Sequence, residues 1–91
     1  MVTEQSMVVA APDLTTAYLD GEAVILDVNS GQYYGLNEVG ARIFELVEQP
    51  SSVDRIIGLL TDEYSVQGDD VKADLLAFLN DMAKKELIQI V

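Results

Sequence analysis

The groups present in numbers large enough to do chemistry are carboxylates: sixteen Asp and Glu stand against five Lys and Arg, with no His and no Cys. Asp62-Glu63 and Asp69-Asp70 invite a metal reading, because hard cations are held by several carboxylate oxygens. Their spacing does not support it. A calcium loop alternates its ligands, places Gly sixth and Glu twelfth, and no segment supplies that series. The acids read instead as helix first turns and a solvated face, so no metal or other cofactor is expected. Without Cys or His there is no disulfide, thiol nucleophile, imidazole base or Ser-His-Asp arrangement. Paired-carboxylate hydrolysis fails on scale, since 91 residues with a filled core leave little room for a substrate cleft. No catalytic residue is assigned, and a binding protein is expected rather than an enzyme.

Ser51 and Ser52, at the start of a helix, raise the idea of a prosthetic-group carrier. Such a carrier uses a Ser within an Asp-Ser-Leu sequence, whereas these lie in Gln-Pro-Ser-Ser-Val and read as a helix cap. The net charge of −11 opposes contact with phosphate backbones, so nucleic acid is not an expected partner. Apolar runs of about five residues fall far short of the roughly 18 a membrane helix needs. Residues 1–14 carry Glu4 and Asp13 but no Lys or Arg, unlike a secretory signal, which makes the cytoplasm the expected location.

The elements that must position any site follow from periodicity. The first half alternates with period two. Thr15 to Leu19 and Glu22 to Val28 flank Asp20-Gly21, a two-residue hairpin turn. Val24, Leu26 and Val28 form the more apolar face of the second of these strands. Asn29-Ser30-Gly31 is a three-residue connection into Gln32-Tyr33-Tyr34-Gly35-Leu36, which completes a three-stranded antiparallel meander. Met7 to Ala11, cut off by Pro12, is either an arm or a further short strand, so residues 1–14 are set apart from a single domain over 15–91.

After Leu36 the period becomes 3.6. Asn37 caps a first helix whose apolar positions are Val39, Ile43, Leu46 and Val47, and Pro50 ends it. Ser51 or Ser52 caps a second, with Val53, Ile56, Ile57, Leu60 and Tyr64 on one stripe. A third runs from Asp69 or Asp70 to about Lys85, and residues 87–91 close the chain as an extended segment. The fold class is α+β, a three-stranded antiparallel sheet followed by three helices.

Stepping about 100° per residue spreads Phe78, Val71, Met82, Leu75, Leu79, Ala83 and Leu76 of the third helix over roughly 160°, where one core-facing stripe needs about 100°. Either the helix is buried between two layers, or one edge of the arc lines an apolar groove. Tyr33-Tyr34 carries the same duality. Neighbours on a strand face opposite ways, so one ring enters the core and the other stays outside. That is ordinary β-propensity, or the edge strand of a site that accepts an extended peptide.

The run Leu26-Asp27-Val28-Asn29-Ser30-Gly31-Gln32-Tyr33-Tyr34-Gly35-Leu36-Asn37-Glu38-Val39-Gly40-Ala41-Arg42-Ile43-Phe44 resembles the LD-x-x-x-G-x-Y-Y-x-LN-x-x-G-x-x-I-[WF] core of PqqD-like proteins, which include the recognition elements of ribosomally made, modified peptides (RiPPs). The stretch from Ile56 to Tyr64, the Asp-rich start of the third helix and the ending Lys85-Glu86-Leu87-Ile88 match the same pattern. The family's usual Trp is Phe44 here, a packing substitution. A stand-alone chain of this length looks most like the leader-binding protein of lasso-peptide pathways whose peptidase is a separate polypeptide. The resemblance implies a winged helix-turn-helix fold in which residues 15–91 are a PqqD-like peptide-recognition domain. It implies strand-side positions Gln32, Tyr33, Tyr34 and Gly35, helix-side positions Leu75, Phe78, Leu79 and Met82, and a groove that starts at Val71 and Asp74. The partners it implies are the leader of a precursor peptide, a separate transglutaminase-like cysteine peptidase and an asparagine-synthetase-like cyclase. The alternatives are a PqqD-type chaperone of another modified-peptide pathway and a winged-helix DNA-binding regulator. The latter needs a basic recognition helix, yet the third helix carries Asp69, Asp70, Asp74 and Asp81 against Lys72, Lys84 and Lys85.

Overall fold

Asp20 and Gly21 both take positive φ, 53° and 81°, the conformation of a two-residue turn whose twist matches that of the strands it joins. The computed structural model describes residues 1–91. Four strands come first: β1 (Met7–Ala10), β2 (Leu14–Leu19), β3 (Glu22–Asp27) and β4 (Gln32–Leu36). They are followed by α1 (Glu38–Leu46), a two-residue strand β5 (Ser51–Ser52), α2 (Val53–Tyr64), α3 (Gly68–Lys84) and β6 (Ile88–Ile90). No helix is long and apolar enough to cross a membrane.

The expected meander is present as an antiparallel sheet in the order β2-β3-β4, with Leu19 opposite Glu22 and Asp27 opposite Gln32. Its details differ in two ways. The second turn spans four residues rather than three, because Asp27 ends the strand: its carboxylate accepts the N–H groups of Asn29 and Ser30, and Gly31 takes φ 76°. Val28 therefore belongs to the turn. The inward face is also the opposite one. Ala23 and Ile25 are buried beneath α1, while Val24 and Val28 lie 47% and 57% exposed.

A second antiparallel sheet, in the order β5-β1-β6, joins the short strand allowed for at Met7 to Ala11 and the closing extended segment, whose pairing the sequence reading did not anticipate, with a two-residue strand it did not contain. Met7 to Ala10 is its central strand, and the closing extended segment supplies its edge through Val8↔Ile90 and Ala10↔Ile88. The residues ahead of it are also integrated: Val2 is buried, its N–H donates to Asn80 Oδ1 at 2.9 Å, and Asn80 Nδ2 donates back to the Val2 carbonyl at 3.3 Å.

Each helix begins where local chemistry allows. Asn37 Oδ1 accepts the N–H of Gly40 at 2.9 Å and caps α1. Ser52 caps α2 through the N–H of Arg55 at 3.1 Å, whereas Ser51 turns back and donates to the Leu46 carbonyl at 2.8 Å. The third helix starts at Gly68, slightly earlier than expected, without a side-chain cap. Asp69 and Asp70 in its first turn and Lys84 in its last complement the helix dipole. Fourteen buried apolar residues form one core that draws on both sheets and all three helices. Phe44, Ile25, Leu75 and Leu79 are among its most enclosed side chains, each worth about 1.5–3 kcal/mol of burial.

Candidate peptide-binding site

β4 pairs with β3 on one side and with nothing on the other, so its outer N–H and C=O groups form an open template for a further strand. Alternation divides its side chains. Tyr34 and Leu36 turn toward the helices and pack on the core, while Tyr33, 70% exposed, and Gly35 face away. The Tyr34 hydroxyl donates to Gln32 Oε1 at 2.9 Å, and the Lys85 ammonium stands 5.8 Å from the Tyr34 ring centre. Lys85 is itself paired with Asp81 at 2.9 Å.

The wall across from this edge belongs to α3. Its wide apolar arc is shared: Leu75, Leu79 and Met82 at the centre are buried in the core, and Val71 and Phe78 on the near edge are half-buried against it. Asp74 beside them is exposed. Leu76 and Ala83 on the far edge are partly buried too, next to the Asn80 that holds Val2. Gly40 brings the two sides close. A Cβ there would stand 3.3 Å from Phe78 Cε1 and 3.4 Å from Leu36 Cβ, so the ring lies close across the β4–α1 junction and would have to shift by a few tenths of an ångström to admit a side chain.

Beyond Phe78 opens a cavity of about 390 Å³, lined by Asn37, Val39, Gly40, Ile43, Leu60, Tyr64, Val66, Val71, Asp74, Leu75 and Phe78. Eight of these eleven are hydrophobic, so the space suits an apolar side chain, with Asn37 and Asp74 as its polar edge. Of the residues singled out from sequence, Val71, Asp74, Leu75 and Phe78 meet around this cavity. Gln32 and Tyr34 lie along the edge strand that leads to it, Tyr33 and Gly35 are on that strand's other face, and Leu79 and Met82 are core. Sequence reasoning missed Leu36, which alternation from Tyr34 would have supplied. It also missed Leu60, Tyr64 and Val66, which tertiary packing alone brings in.

Nearby charged groups are tied to one another in ion pairs and hydrogen bonds. Arg42 spans α1 and α2 with a two-pronged grip on Glu63, at 2.9 and 2.8 Å, and also reaches Glu45. Those hydrogen bonds raise the guanidinium's pKa and hold the Glu63 carboxyl below the usual carboxylate range. Partial burial, with a hydrogen bond to Glu48, pushes the Tyr18 hydroxyl up. No group of three or more Asp or Glu is placed to hold a metal ion.

The family model described as Coenzyme PQQ synthesis protein D (PqqD) matches residues 22–88, from β3 through the start of β6. The chain belongs to the PqqD family. Two solved structures are similar to this PqqD-family chain over almost its whole length. TbiB1 in complex with the TbiA(beta) leader peptide is 36% identical, covering 89% of this chain and 94% of that one, with a TM-score of 0.84. A lasso peptide synthetase B1 complexed with the leader peptide is 27% identical, covering 90% of this chain and 96% of its own, with a TM-score of 0.79. Among curated proteins none matches.

Proposed function

We propose that this chain is a non-catalytic RiPP recognition element that captures the leader of a ribosomally made precursor as an added strand on β4, against α3. It hands the precursor to a separate transglutaminase-like cysteine peptidase, with an asparagine-synthetase-like cyclase acting afterwards, in cytoplasmic lasso-peptide biosynthesis. The observation that carries this is the unpaired β4 edge running into an apolar cavity walled by Phe78 and Val71. Main-chain hydrogen bonds would supply affinity, and the cavity would select a side chain. The likeness to two leader-bound proteins supports the same reading. Service to another modified-peptide pathway is the second reading, favoured by the family match itself. A DNA-binding role is disfavoured by the exposed Asp69, Asp70, Asp74 and Asp81 along α3.

Titration calorimetry with the synthetic leader is the test. Tyr34→Ala should weaken binding by about 1 kcal/mol or more, as for a buried anchor, while Tyr34→Phe stays near wild type. Equal affinity in the wild type and Tyr34→Ala would refute the groove assignment.

A further inference from the structure

We propose that Asn80 is a positioning residue for the leader: through the backbone of Val2 it braces α3 from behind and so sets the width of the β4–α3 groove. The inference rests on the strand-addition reading above and adds to it a part of the molecule that touches no peptide. Asn80 stands on the far edge of α3 with Leu76 and Ala83, turned away from the cavity. Asparagine is a poorer helix former than alanine or leucine, so its place in mid-helix has a cause outside the helix. Its Oδ1 accepts the Val2 N–H at 2.9 Å and its Nδ2 donates to the Val2 carbonyl at 3.3 Å, a ladder rung made by a side chain. Nδ2 also donates to the Leu76 carbonyl at 2.9 Å, one turn back, which fixes the orientation of the amide.

The segment that Asn80 holds is a strap laid along the helix. Val2 puts its side chain into the core. Glu4 then meets Lys72 at 3.0 Å, about 12 Å nearer the start of α3 at 1.5 Å per residue. Beyond it the Ser6 carbonyl accepts the Val53 N–H at 3.0 Å, which ties the strap to the start of α2. One stretch of chain therefore supports α3 from its far side at two well-separated points.

On its near side the helix lacks such support. It starts without a side-chain cap, packs chiefly on α2 and β6, and turns Val71 and Phe78 toward an open cavity. The space between α3 and β4 is the one a leader enters, so the distance between them is set from behind. With the strap released, α3 can roll, and the groove keeps its binding width in only part of the population. Apparent affinity then falls by that fraction. The coupling is reciprocal: a leader that favours the braced position of α3 also favours the Asn80–Val2 pair.

The experiment combines titration with the synthetic leader and amide hydrogen exchange followed by NMR, on the full chain. Asn80→Ala removes all three side-chain hydrogen bonds, and Asn80→Asp keeps the acceptor for the Val2 N–H while losing both donors. Both variants should bind leader at least fivefold more weakly. In the free Asn80→Ala protein, amides from Val71 to Leu79 should exchange at least threefold faster, while those of Ala23 to Asp27 in β3 stay within twofold. General loss of stability would instead speed both sets alike. In the unmutated protein, saturating leader should slow exchange of the Val2 N–H and the Asn80 side-chain amide at least threefold, a measurement that depends on no variant. Wild-type affinity in both variants, equal acceleration of α3 and β3, or Val2 and Asn80 signals indifferent to leader would each overturn the proposal. A wild-type protein that binds no leader would overturn strand addition itself, and the first titration reports that separately.

Discussion

Replacing Gly40 with alanine should make the protein slightly more stable and a poorer peptide binder. Glycine inside a helix costs about 0.8–1.0 kcal/mol relative to alanine, so the substitution starts with that gain. Against it, the new methyl would lie 3.3 Å from Phe78 Cε1 and 3.4 Å from Asn37 Oδ1 and Leu36 Cβ, inside the roughly 3.5–4.0 Å of relaxed carbon contacts. Leu36 is fixed by its strand, but the Phe78 ring is half-buried and borders open space, so it can give by a few tenths of an ångström. A cost of about half the gain leaves roughly 0.5 kcal/mol, or about 2–4 °C in Tm for a domain of this size. The methyl and the displaced ring, however, occupy part of the 390 Å³ cavity. One methylene too many in an apolar pocket is worth about 1–3 kcal/mol, so leader affinity should fall about fivefold or more. Thermal unfolding followed by circular dichroism gives the first quantity and titration calorimetry the second. A variant with raised Tm and unchanged affinity would refute the reasoning, because the cavity would then lie outside the peptide's footprint.

Two further outcomes are expected. Asn37→Ala, which removes the α1 cap, should cost about 1 kcal/mol and lower Tm by about 4–8 °C, while Asn37→Asp keeps an acceptor for the Gly40 N–H and stays near wild type; thermal melts of the pair decide it. The Glu63 carboxyl is held low by Arg42, so its stabilising contribution is present above the unfolded-state value of about 4.3 and is lost as pH falls through the lower folded-state value. The Tm difference between wild type and Glu63→Gln should therefore be visible at pH 7 and close as pH is taken below about 4.

Features with a short-range cause were legible in the sequence. Asp20-Gly21 carries its own turn geometry, Asn37 and Ser52 cap through N–H groups three residues on, and the acids of Asp69-Asp70 fall in a helix first turn. What failed was decided at long range. Counting apolar residues on β3 favours Val24, Leu26 and Val28, yet α1 packs over Ala23 and Ile25. The sheet's outer face is apolar without being core, so composition alone points the wrong way. The second sheet depends on a two-residue strand pairing with Met7 and Val8, far away along the chain, and no periodicity can exist in two residues. The surplus arc of α3 was visible as a surplus, but its division needed the fold: the centre to the core, one edge to the cavity, the other beside the N-terminal segment held by Asn80. The cavity was half legible for the same reason, since Val71, Asp74, Leu75 and Phe78 share a helix, while Tyr64 and Val66 arrive from α2 and the connection after it.

The central claim is strand addition to β4, and backbone hydrogen exchange measures it at the bonds concerned. Amides on a free sheet edge exchange readily, and those that donate to an added strand become protected. With saturating leader, alternate amides over Gln32 to Leu36 should slow by at least tenfold, while the edge strands β5 and β6 of the other sheet remain unchanged. Leader binding that leaves β4 exchange unaltered, or that protects β5 or β6 instead, would contradict the account.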